Sequence, residues 1–327
     1  MPNWGLFAPV GVAFRERQVQ AGKIRIGTRG SPLALAQAHE VRQRLQIAHG
    51  LANSDLEIRT IRTSGDRIQD RPLSEVGGKG LFTKEIEEGL LSGGIDLAVH
   101  STKDMQTVLP SGLTISAVLP REDVRDAFIS IKYVSLADLP PAATVGTSSL
   151  RRQAQVRRLR PDLQTIEFRG NVETRLKKLQ DGAVDATLLA AAGLNRLGKA
   201  DRITAYLPVE DMLPAVGQGA IAVEVRSDDA ATRMLLAPLN DEATALCIAA
   251  ERAFLAQLDG SCRTPIAGLA ELRGGLLHFR GMILSPDGVR CLEVSRTGTL
   301  AAAVKIGVDA GSELVARAGR GFFGGAV

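Results

Sequence analysis

Two stretches of the chain share one order of hydrophobic and polar positions. In the first, KIRIGT alternates as a strand does, Arg29 and Gly30 turn the chain, and LALAQAHEVRQRL has helical periodicity. Ser31 is a good N-cap residue for this helix, and Pro32 suits its first position. The second stretch, TVGTSSLRRQAQV from Thr144, repeats the strand, the small hydroxyl residues and the helix start.

The similarity continues downstream of each stretch. A basic residue and a glycine precede the helix LFTKEIEEGLL, followed by SGGID and the apolar strand LAVHS. In the same order come Arg169 and Gly170, the helix NVETRLKKL, QDGAVD and the strand ATLLAAA. We infer two α/β lobes of related build. In such sheets ligands collect beyond the carboxyl ends of the strands, where helix N-termini offer free N–H groups.

The pattern changes after the second lobe. LPAVGQGAIAVEVR contains a strand that suits a return to the sheet of the first lobe, so two crossing segments would form a hinge. A long amphipathic helix capped by Asn240 or Asp241, three alternating strands with the turn SPDG, and a helix containing SELVARA predict a small α+β domain. The predicted units are an extension 1–22, a first lobe 23–120 with 216–238, a second lobe 121–215 and a third domain 239–327.

Composition narrows the class of protein. Of 327 residues 45% are apolar and 4% aromatic, and the net charge is +4. These values indicate a globular protein and argue against binding of single-stranded nucleic acid. No apolar run reaches the ~20 residues that span a bilayer. Residues 1–22 lack a signal-peptide pattern and are expected to be poorly ordered. The three sparse cysteines and four scattered histidines predict a reducing cytoplasm and no metal site.

Positive charge is concentrated between Val145 and Arg175, a segment that contains seven arginines and three acidic residues. Arginine offers a planar fork of donors that matches carboxylate or phosphate at any working pH. The segment therefore predicts a site for a multiply anionic ligand. A solvated helix face is the alternative, and we prefer it for Arg157, Arg158 and Arg160, which precede the helix-stopping Pro161.

Three further features could carry chemistry. Cys262 is predicted to lie in a loop beside Arg263, which would favour the thiolate form of the cysteine. A plain surface cysteine fits the sequence as well. Cys247 and Cys291 are expected in the core. Lys103 and Asp104 end a buried strand, where they could bind an anion and stabilise a cation, or form only a salt bridge. The polar segment SGDRIQDRPLSEVGGKG suits a mobile lid, and its GGKG lacks the Ser or Thr of a phosphate loop.

Together the motifs resemble the porphobilinogen deaminase (hydroxymethylbilane synthase) family. They follow the family order from about residue 24 to 270 and match more loosely beyond. The matching motifs are IGTRGSPLALAQA, VGGKGLFTKEIE, DLAVHSTKD, REDVRDAF, VGTSSLRRQAQ, RGNVETRL, AAAGLNRLG, LPAVGQGA and GSCRTPIAG. The resemblance implies two periplasmic-binding-protein-like α/β lobes and the small α+β C-terminal domain.

The resemblance also implies an activity. Four porphobilinogen molecules would be condensed head to tail with loss of ammonia, on a dipyrromethane cofactor joined to Cys262 by a thioether, and water would release hydroxymethylbilane. Asp104 would be catalytic and would stabilise an azafulvene-type cation. The other implied cofactor-binding residues are Lys103, Ser149, Arg151, Arg152 and Gly170. The implied substrate-binding residues are Arg29, Ser31, Lys79, Ser101, Arg169, Arg175 and Arg196.

Two features depart from the family pattern, and one matching arginine has a second interpretation. Glu75 stands where relatives often carry lysine, and the extension 1–22 has no recognised counterpart. Arg196 could instead satisfy carbonyls at a helix end.

Two other classes of protein compete with the transferase. A two-lobed solute-binding protein would need neither the third domain nor a loop cysteine, and a nucleic-acid binder is disfavoured by scarce aromatics and modest charge. We therefore expect a cytoplasmic monomer that acts on porphobilinogen and has neither nucleic-acid nor membrane partners.

Overall fold

The computed structural model describes residues 23–67, 80–258, 264–319 and Phe322. The extension 1–22, Glu75, Lys79, most of the proposed lid and Cys262 lie outside the described residues. Within the described part, no helix has both the length and the apolar character needed to cross a membrane.

The first lobe is built on a five-stranded sheet with the order β2-β1-β3-β10-β4. β1 is parallel to β2 and β3, whereas β10 runs antiparallel between β3 and β4. The strands are β1 Ile24–Thr28, β2 Leu56–Thr60, β3 Leu97–Ser101, β4 Leu113–Val118 and β10 Ile221–Arg226. The helices are α1 Pro32–His49, the short α2 Ser64–Arg67, α3 Lys84–Leu91 and α7 Ala230–Leu236. Helices α1 and α7 pack on one face of the sheet, and α3 packs on the other.

The second lobe repeats this arrangement with the order β7-β6-β8-β5-β9. β6 is parallel to β7 and β8, and β5 is the antiparallel strand beside β8. The strands are β5 Asp126–Ser130, β6 Thr144–Gly146, β7 Gln164–Ile166, β8 Ala186–Ala190 and β9 Ala205–Tyr206. The helices are α4 Leu150–Leu159, α5 Val172–Gln180 and α6 Ala191–Arg196. Helix α4 packs on one face of the sheet, and α5 and α6 pack on the other.

The matching strand orders confirm the two related periplasmic-binding-protein-like lobes. In each lobe an antiparallel strand lies beside the third parallel strand, and it is the strand that arrives from the other lobe. The predicted return of IAVEV to the first sheet is therefore confirmed as β10. Residues 119–125 and 207–220 are the two crossing segments.

The third domain is the expected α+β unit. Its strands β11 Ile266–Arg273, β12 Leu276–Leu284 and β13 Cys291–Thr299 form an antiparallel sheet. Helices α8 Glu242–Gln257 and α9 Ala303–Ala318 share a core with this sheet. A second apolar cluster joins the domain to lobe 2 through Ala267, Leu269, Ala154 and Leu213.

Local sequence explains where the helices at the cleft begin. The Ser31 hydroxyl accepts from the Ala34 N–H, and the Ser149 hydroxyl accepts from the Arg152 N–H, so both act as N-caps. Helix α1 ends at His49, and its C-cap residue Gly50 has a φ of 63°, a left-handed conformation that favours glycine.

Candidate functional site

The candidate site lies where the carboxyl ends of β1, β3 and β6 meet the starts of the following elements. Arg29 follows β1, Ser149 precedes α4, and β3 leads into the 3-10 turn Thr102–Asp104. This is the position at which doubly wound sheets bind ligands.

Asp104 shares a small pocket with three of the predicted substrate-binding residues. The pocket lining includes Arg29, Ser31, Ser101 and Asp104. The Asp104 carboxylate lies 4.0 Å from Arg29 Nη1, and 34% of its side chain is exposed. Structure thus brings these four predicted residues together.

Arg29 is held from two sides. Its Nη2 lies 2.5 Å from the Asp66 Oδ1, and its guanidinium stacks 4.2 Å from the centroid of the Phe82 ring. Asp66 therefore compensates the charge of Arg29, and Asp104 keeps a carboxylate that faces the pocket. Neither Asp66 nor Phe82 was assigned from sequence.

Lys103 precedes Asp104 in the 3-10 turn, and the paired arginines of α4 act on its charge. Burial lowers the pKa of the Lys103 ammonium to about 8; Asp104 and Asp126 raise it, whereas Arg152 and Arg151 lower it. These side chains therefore lie close enough to act electrostatically on one amine.

Arg151 and Arg152 are buried, and both pair with one carboxylate. Arg151 Nη2 lies 2.8 Å from Asp126 Oδ2, and Arg152 Nη2 lies 2.7 Å from Asp126 Oδ1. The buried Nε atoms of both arginines lack an acceptor among the described residues. Sequence reasoning missed Asp126, although an acid at the start of the apolar strand DAFIS is a signal that a buried cation lies nearby.

Arg175 of α5 and Arg169, which precedes this helix, lie among the same group of charges. Burial lowers the pKa of the Arg175 guanidinium to about 10, and Arg152, Arg169 and Asp104 are among the charges that act on it. Arg175 Nε donates to the Gly170 carbonyl at 2.8 Å. Gly170 has a φ of 125°, and a Cβ there would lie 2.6 Å from Thr174 Cγ2, so this turn requires glycine.

The predicted hydroxyl donors have local partners. Ser31 and Ser149 cap their helices, and Ser101 Oγ accepts from Gln37 Nε2 at 2.9 Å. A ligand would therefore compete with these bonds or share the hydroxyl oxygens.

Arg196 occupies a different place. Its Nε lies 3.3 Å from Glu40 Oε2 in lobe 1, and its Nη2 donates to the Gly219 carbonyl at 2.9 Å. Its guanidinium is largely buried, so Arg196 links lobe 2 to α1 and to the second crossing segment.

Two expectations from the sequence are wrong. Arg160 is not a solvated helix-face residue, because it pairs with Asp162 at 2.6 Å and donates to the carbonyls of Leu136, Ala137 and Leu139. Cys291 is only half buried, because it begins the edge strand β13. Cys247 is buried as expected. Burial raises the pKa of each of these thiols to about 11.

The cleft carries an excess of positive charge. Lys103, Arg151, Arg152, Arg169 and Arg175 act in one neighbourhood with the carboxylates of Asp104, Asp126 and Glu167. A larger hollow on lobe 2 contains only Arg202 and Asp201 as charged residues, so it lacks such an excess. The cleft at the strand ends is therefore the site suited to an acidic ligand.

The sequence of this chain matches known protein families and individual relatives. Residues 24–234 match the family model described as porphobilinogen deaminase, dipyromethane cofactor binding domain, and residues 245–316 match the porphobilinogen deaminase C-terminal domain. A porphobilinogen deaminase of Nitrobacter hamburgensis is 60% identical over 298 residues, covering 91% of this chain and 94% of that protein. One from Paracoccus denitrificans is 58% identical over 300 residues, covering 92% and 96%.

Among solved structures, a putative methionine-binding lipoprotein from Bacillus subtilis overlaps with a TM-score of 0.43 at 14% identity, over 67% of this chain and 90% of that one. The periplasmic VFT2 domain of Bordetella pertussis BvgS overlaps with a TM-score of 0.38 at 17% identity, over 69% and 89%.

Proposed function

Because this chain belongs to the porphobilinogen deaminase family, we propose that Cys262 holds its dipyrromethane cofactor as a thioether and that the cationic cleft binds the growing chain. The enzyme polymerises four porphobilinogen molecules head to tail and releases ammonia and hydroxymethylbilane. The cofactor supplies the pyrrole terminus on which this polymer is extended.

The buried arginines carry the proposal. Arg151 and Arg152 each keep an Nε without an acceptor among the described residues, although both side chains are buried. Such donors are costly unless an acceptor arrives. Every pyrrole ring of the polymer bears an acetate and a propionate, so carboxylates are the acceptors that fit. Arg169, Arg175 and Lys103 extend the clamp along the cleft, and Gly170, Ser149, Ser31 and Ser101 supply further polar groups.

Asp104 is assigned the catalytic role. Loss of ammonia from the substrate leaves positive charge on the pyrrole and its methylene carbon. A fixed carboxylate aimed at that charge lowers the barrier electrostatically. Because Asp66 already pairs with Arg29, the Asp104 carboxylate is left to stabilise the developing cation and to accept pyrrole N–H donors.

The contacts of α8 support Cys262 as the attachment point. Helix α8 ends at Gln257, five residues before Cys262 in the sequence. Near that end, Arg252 Nη2 donates to the carbonyls of Gln106 and Thr107 at 2.8 and 2.9 Å. The end of α8 is thereby tied to the segment that directly follows the Asp104 turn. Burial raises the pKa values of the Cys247 and Cys291 thiols, which makes both of them poor nucleophiles.

Lys79 and Arg196 are the remaining proposed substrate contacts. Lys79 lies outside the described residues, and we propose it as a substrate-binding residue from the motif VGGKGLFTKEIE. We propose that Arg196 reaches substrate only when its bonds to Glu40 and Gly219 are exchanged for a carboxylate of the polymer.

Intact-mass measurement tests the attachment. The purified chain should be heavier than its sequence by two linked pyrrole units, and Cys262→Ser should lack this excess, while Cys247→Ser and Cys291→Ser retain it. An active enzyme of unmodified mass would refute covalent attachment, and excess mass in Cys262→Ser would move it to another residue.

We also propose that the enzyme acts as a cytoplasmic monomer. Both lobes and Cys262 belong to one chain, so a complete cleft needs no second copy. The sparse cysteines suit a reducing compartment. Sedimentation at the concentrations used for assay should give one species of 34.7 kDa plus cofactor, and an obligate dimer would contradict the monomer. Cell fractionation should recover the activity with cytoplasmic markers, and activity in the periplasm would contradict the cytoplasmic location.

A further inference from the structure

Asp126 is a buried carboxylate to which the preceding assignments give no role. It begins β5 and is fully buried. It receives Arg151 and Arg152 at 2.8 and 2.7 Å, and Gln218 Nε2 donates to its Oδ1 at 2.9 Å. The two guanidinium groups hold the pKa of this carboxyl well below its usual range, so Asp126 is a permanent anion.

The paired arginines would not converge without such an anion. Consecutive residues on an α-helix are rotated by about 100°, so Arg151 and Arg152 leave α4 in different directions. Asp126 binds one Nη2 of each and draws the guanidinium groups together. The Nη1 of Arg151 donates to Leu213 O at 2.8 Å, and that of Arg152 donates to Leu188 O at 2.9 Å. With the Nη atoms so engaged, the buried Nε of each arginine is the donor that keeps no acceptor among the described residues.

The anchor points of this cluster lie at the hinge. Asp126 directly follows the first crossing segment, and Leu213 and Gln218 belong to the second. The arginine pair is thus fixed to both connections between the lobes. If the lobes rotate about these connections, the pair moves least, because it lies at the pivot.

On the premise of the proposed function, we propose that Asp126 is a positioning residue. It aligns Arg151 and Arg152 as one stationary clamp for the carboxylates of the dipyrromethane, and it sets the net charge that the clamp presents to Lys103. The cofactor end of the polymer is then held at the hinge while the remainder of the cleft accommodates added units.

The charge of Asp126 has an effect that can be measured without turnover. The charged groups that act on the Lys103 ammonium are Asp104, Arg152, Asp126 and Arg151, and burial is the largest influence. Removing the Asp126 charge leaves both arginines uncompensated beside the amine. The pKa of Lys103 should then fall further below about 8.

The first experiment compares Asp126→Asn with the wild type and with Asp162→Asn. Asparagine preserves the shape and removes the charge, whereas Asp162 pairs with Arg160 near the surface of the same lobe and serves as the control. We expect Asp126→Asn to carry the cofactor mass on a small minority of chains. Its KM for porphobilinogen should rise about tenfold or more, because one partner of a buried charge pair is lost. Asp162→Asn should load and bind like the wild type.

The second experiment titrates Lys103 in cofactor-free protein by competitive amine labelling and peptide mass spectrometry. The labelling midpoint should lie near pH 8 in the wild type and in Asp162→Asn, and at lower pH in Asp126→Asn. Asp126→Glu, which keeps the charge but moves it, should retain the wild-type midpoint and still load poorly. This variant decides the matter if the asparagine variant fails to fold.

The outcomes separate this proposal from the proposed function. Normal loading in Asp126→Asn or Asp126→Glu would overturn the alignment role, and an unchanged Lys103 midpoint in Asp126→Asn would overturn the role in setting charge. A wild-type chain without cofactor mass would instead contradict the attachment at Cys262, and the labelling midpoint would still report on Asp126.

Discussion

At the scale of single residues, two carboxylates in the cleft differ in burial and in their ion pairs. Asp126 is fully buried between two arginines, whereas Asp104 keeps 34% of its side chain exposed and only approaches Arg29 to 4.0 Å. A carboxylate already neutralised by a close cation contributes little to a developing positive charge. From this difference we infer that Asp126 positions other side chains and that Asp104 is the catalytic carboxylate.

Replacing Asp104 by alanine should abolish most turnover without unfolding the protein. The loss should be about a hundredfold or more in kcat, since a preorganised charge is removed. The melting temperature should stay near that of the wild type, because the Asp104 side chain is partly exposed and its ion pair with Arg29 is long, at 4.0 Å. Steady-state kinetics and a thermal scan measure both. Glu88→Gln, on the exposed side of α3, is the control and should behave as wild type; wild-type turnover in Asp104→Ala would remove this residue from the mechanism.

The pKa of Lys103 predicts a pH dependence of substrate binding. Burial lowers this pKa from 10.5 to about 8, so the side chain loses its positive charge as the pH rises through about 8. KM for porphobilinogen should therefore increase on the alkaline side of that value. Kinetics at a series of pH values measures the midpoint. In Lys103→Arg, where the charge persists, the midpoint should disappear; an identical alkaline rise in that variant would assign the titration to another group.

At the scale of elements, the contact between α8 and α9 depends on glycine. A Cβ at Gly307 would lie 2.0 Å from the Ala250 carbonyl oxygen, and one at Gly311 would lie 2.8 Å from the Phe254 carbonyl oxygen. The absence of these side chains lets the two helix backbones approach closely. Because α8 ends at Gln257, five residues before Cys262 in the sequence, this contact also fixes the end of the helix that precedes that cysteine.

Substituting Gly307 by alanine tests whether helix propensity or packing against α8 has the larger effect on the stability of the protein. Alanine favours an isolated helix by ~1 kcal/mol over glycine. Here the backbone of α8 must move to admit the methyl group, which typically costs about 1–3 kcal/mol. We expect a lower melting temperature, measured by circular dichroism. Val304→Ala, at an exposed position of the same helix, should change it little; a stabilised Gly307→Ala would show that propensity outweighs packing.

The elements themselves were largely predictable, because their signals are local. Ser31 and Asp241 occur as caps where the sequence predicts them, and the lobe repeat follows from the short-range pattern of polar and apolar residues. Helix α7 was missed because it is short and follows β10 without a long periodic run. Asp126 and Glu251 were missed for another reason. Their partners are distant in sequence, and a buried acid within an apolar segment shows no partner until the chain is folded.

At the scale of the whole molecule, one carboxylate joins three parts of the chain. Glu251 of α8 is fully buried. It receives Arg121 Nη1 at 2.6 Å from the first crossing segment, Gly217 N at 2.7 Å from the second and Ala270 N at 2.8 Å from β11. Its four close donors satisfy the buried charge. The third domain is thereby fastened to the hinge.

Glu251→Gln should therefore destabilise the entire protein. The amide cannot accept from all four donors, and it leaves the Arg121 guanidinium buried without its counter-charge, at a cost of about 3–5 kcal/mol. The melting temperature should fall by about 5 °C or more. Glu271→Gln, which breaks the exposed pair with Arg273, is the matched control and should change it little. Equal melting curves for both variants would contradict this account of the junction.

The position of β10 constrains how the protein is made. Lobe 2 draws all five strands from one continuous stretch, whereas the sheet of lobe 1 has its fourth strand, β10, between β3 and β4. On the ribosome, β3 can pair only with β1, and β4 has no neighbour in the sheet, until residue 226 has emerged. The nascent chain completes its second lobe before its first, and the segment that contains Cys262 follows both.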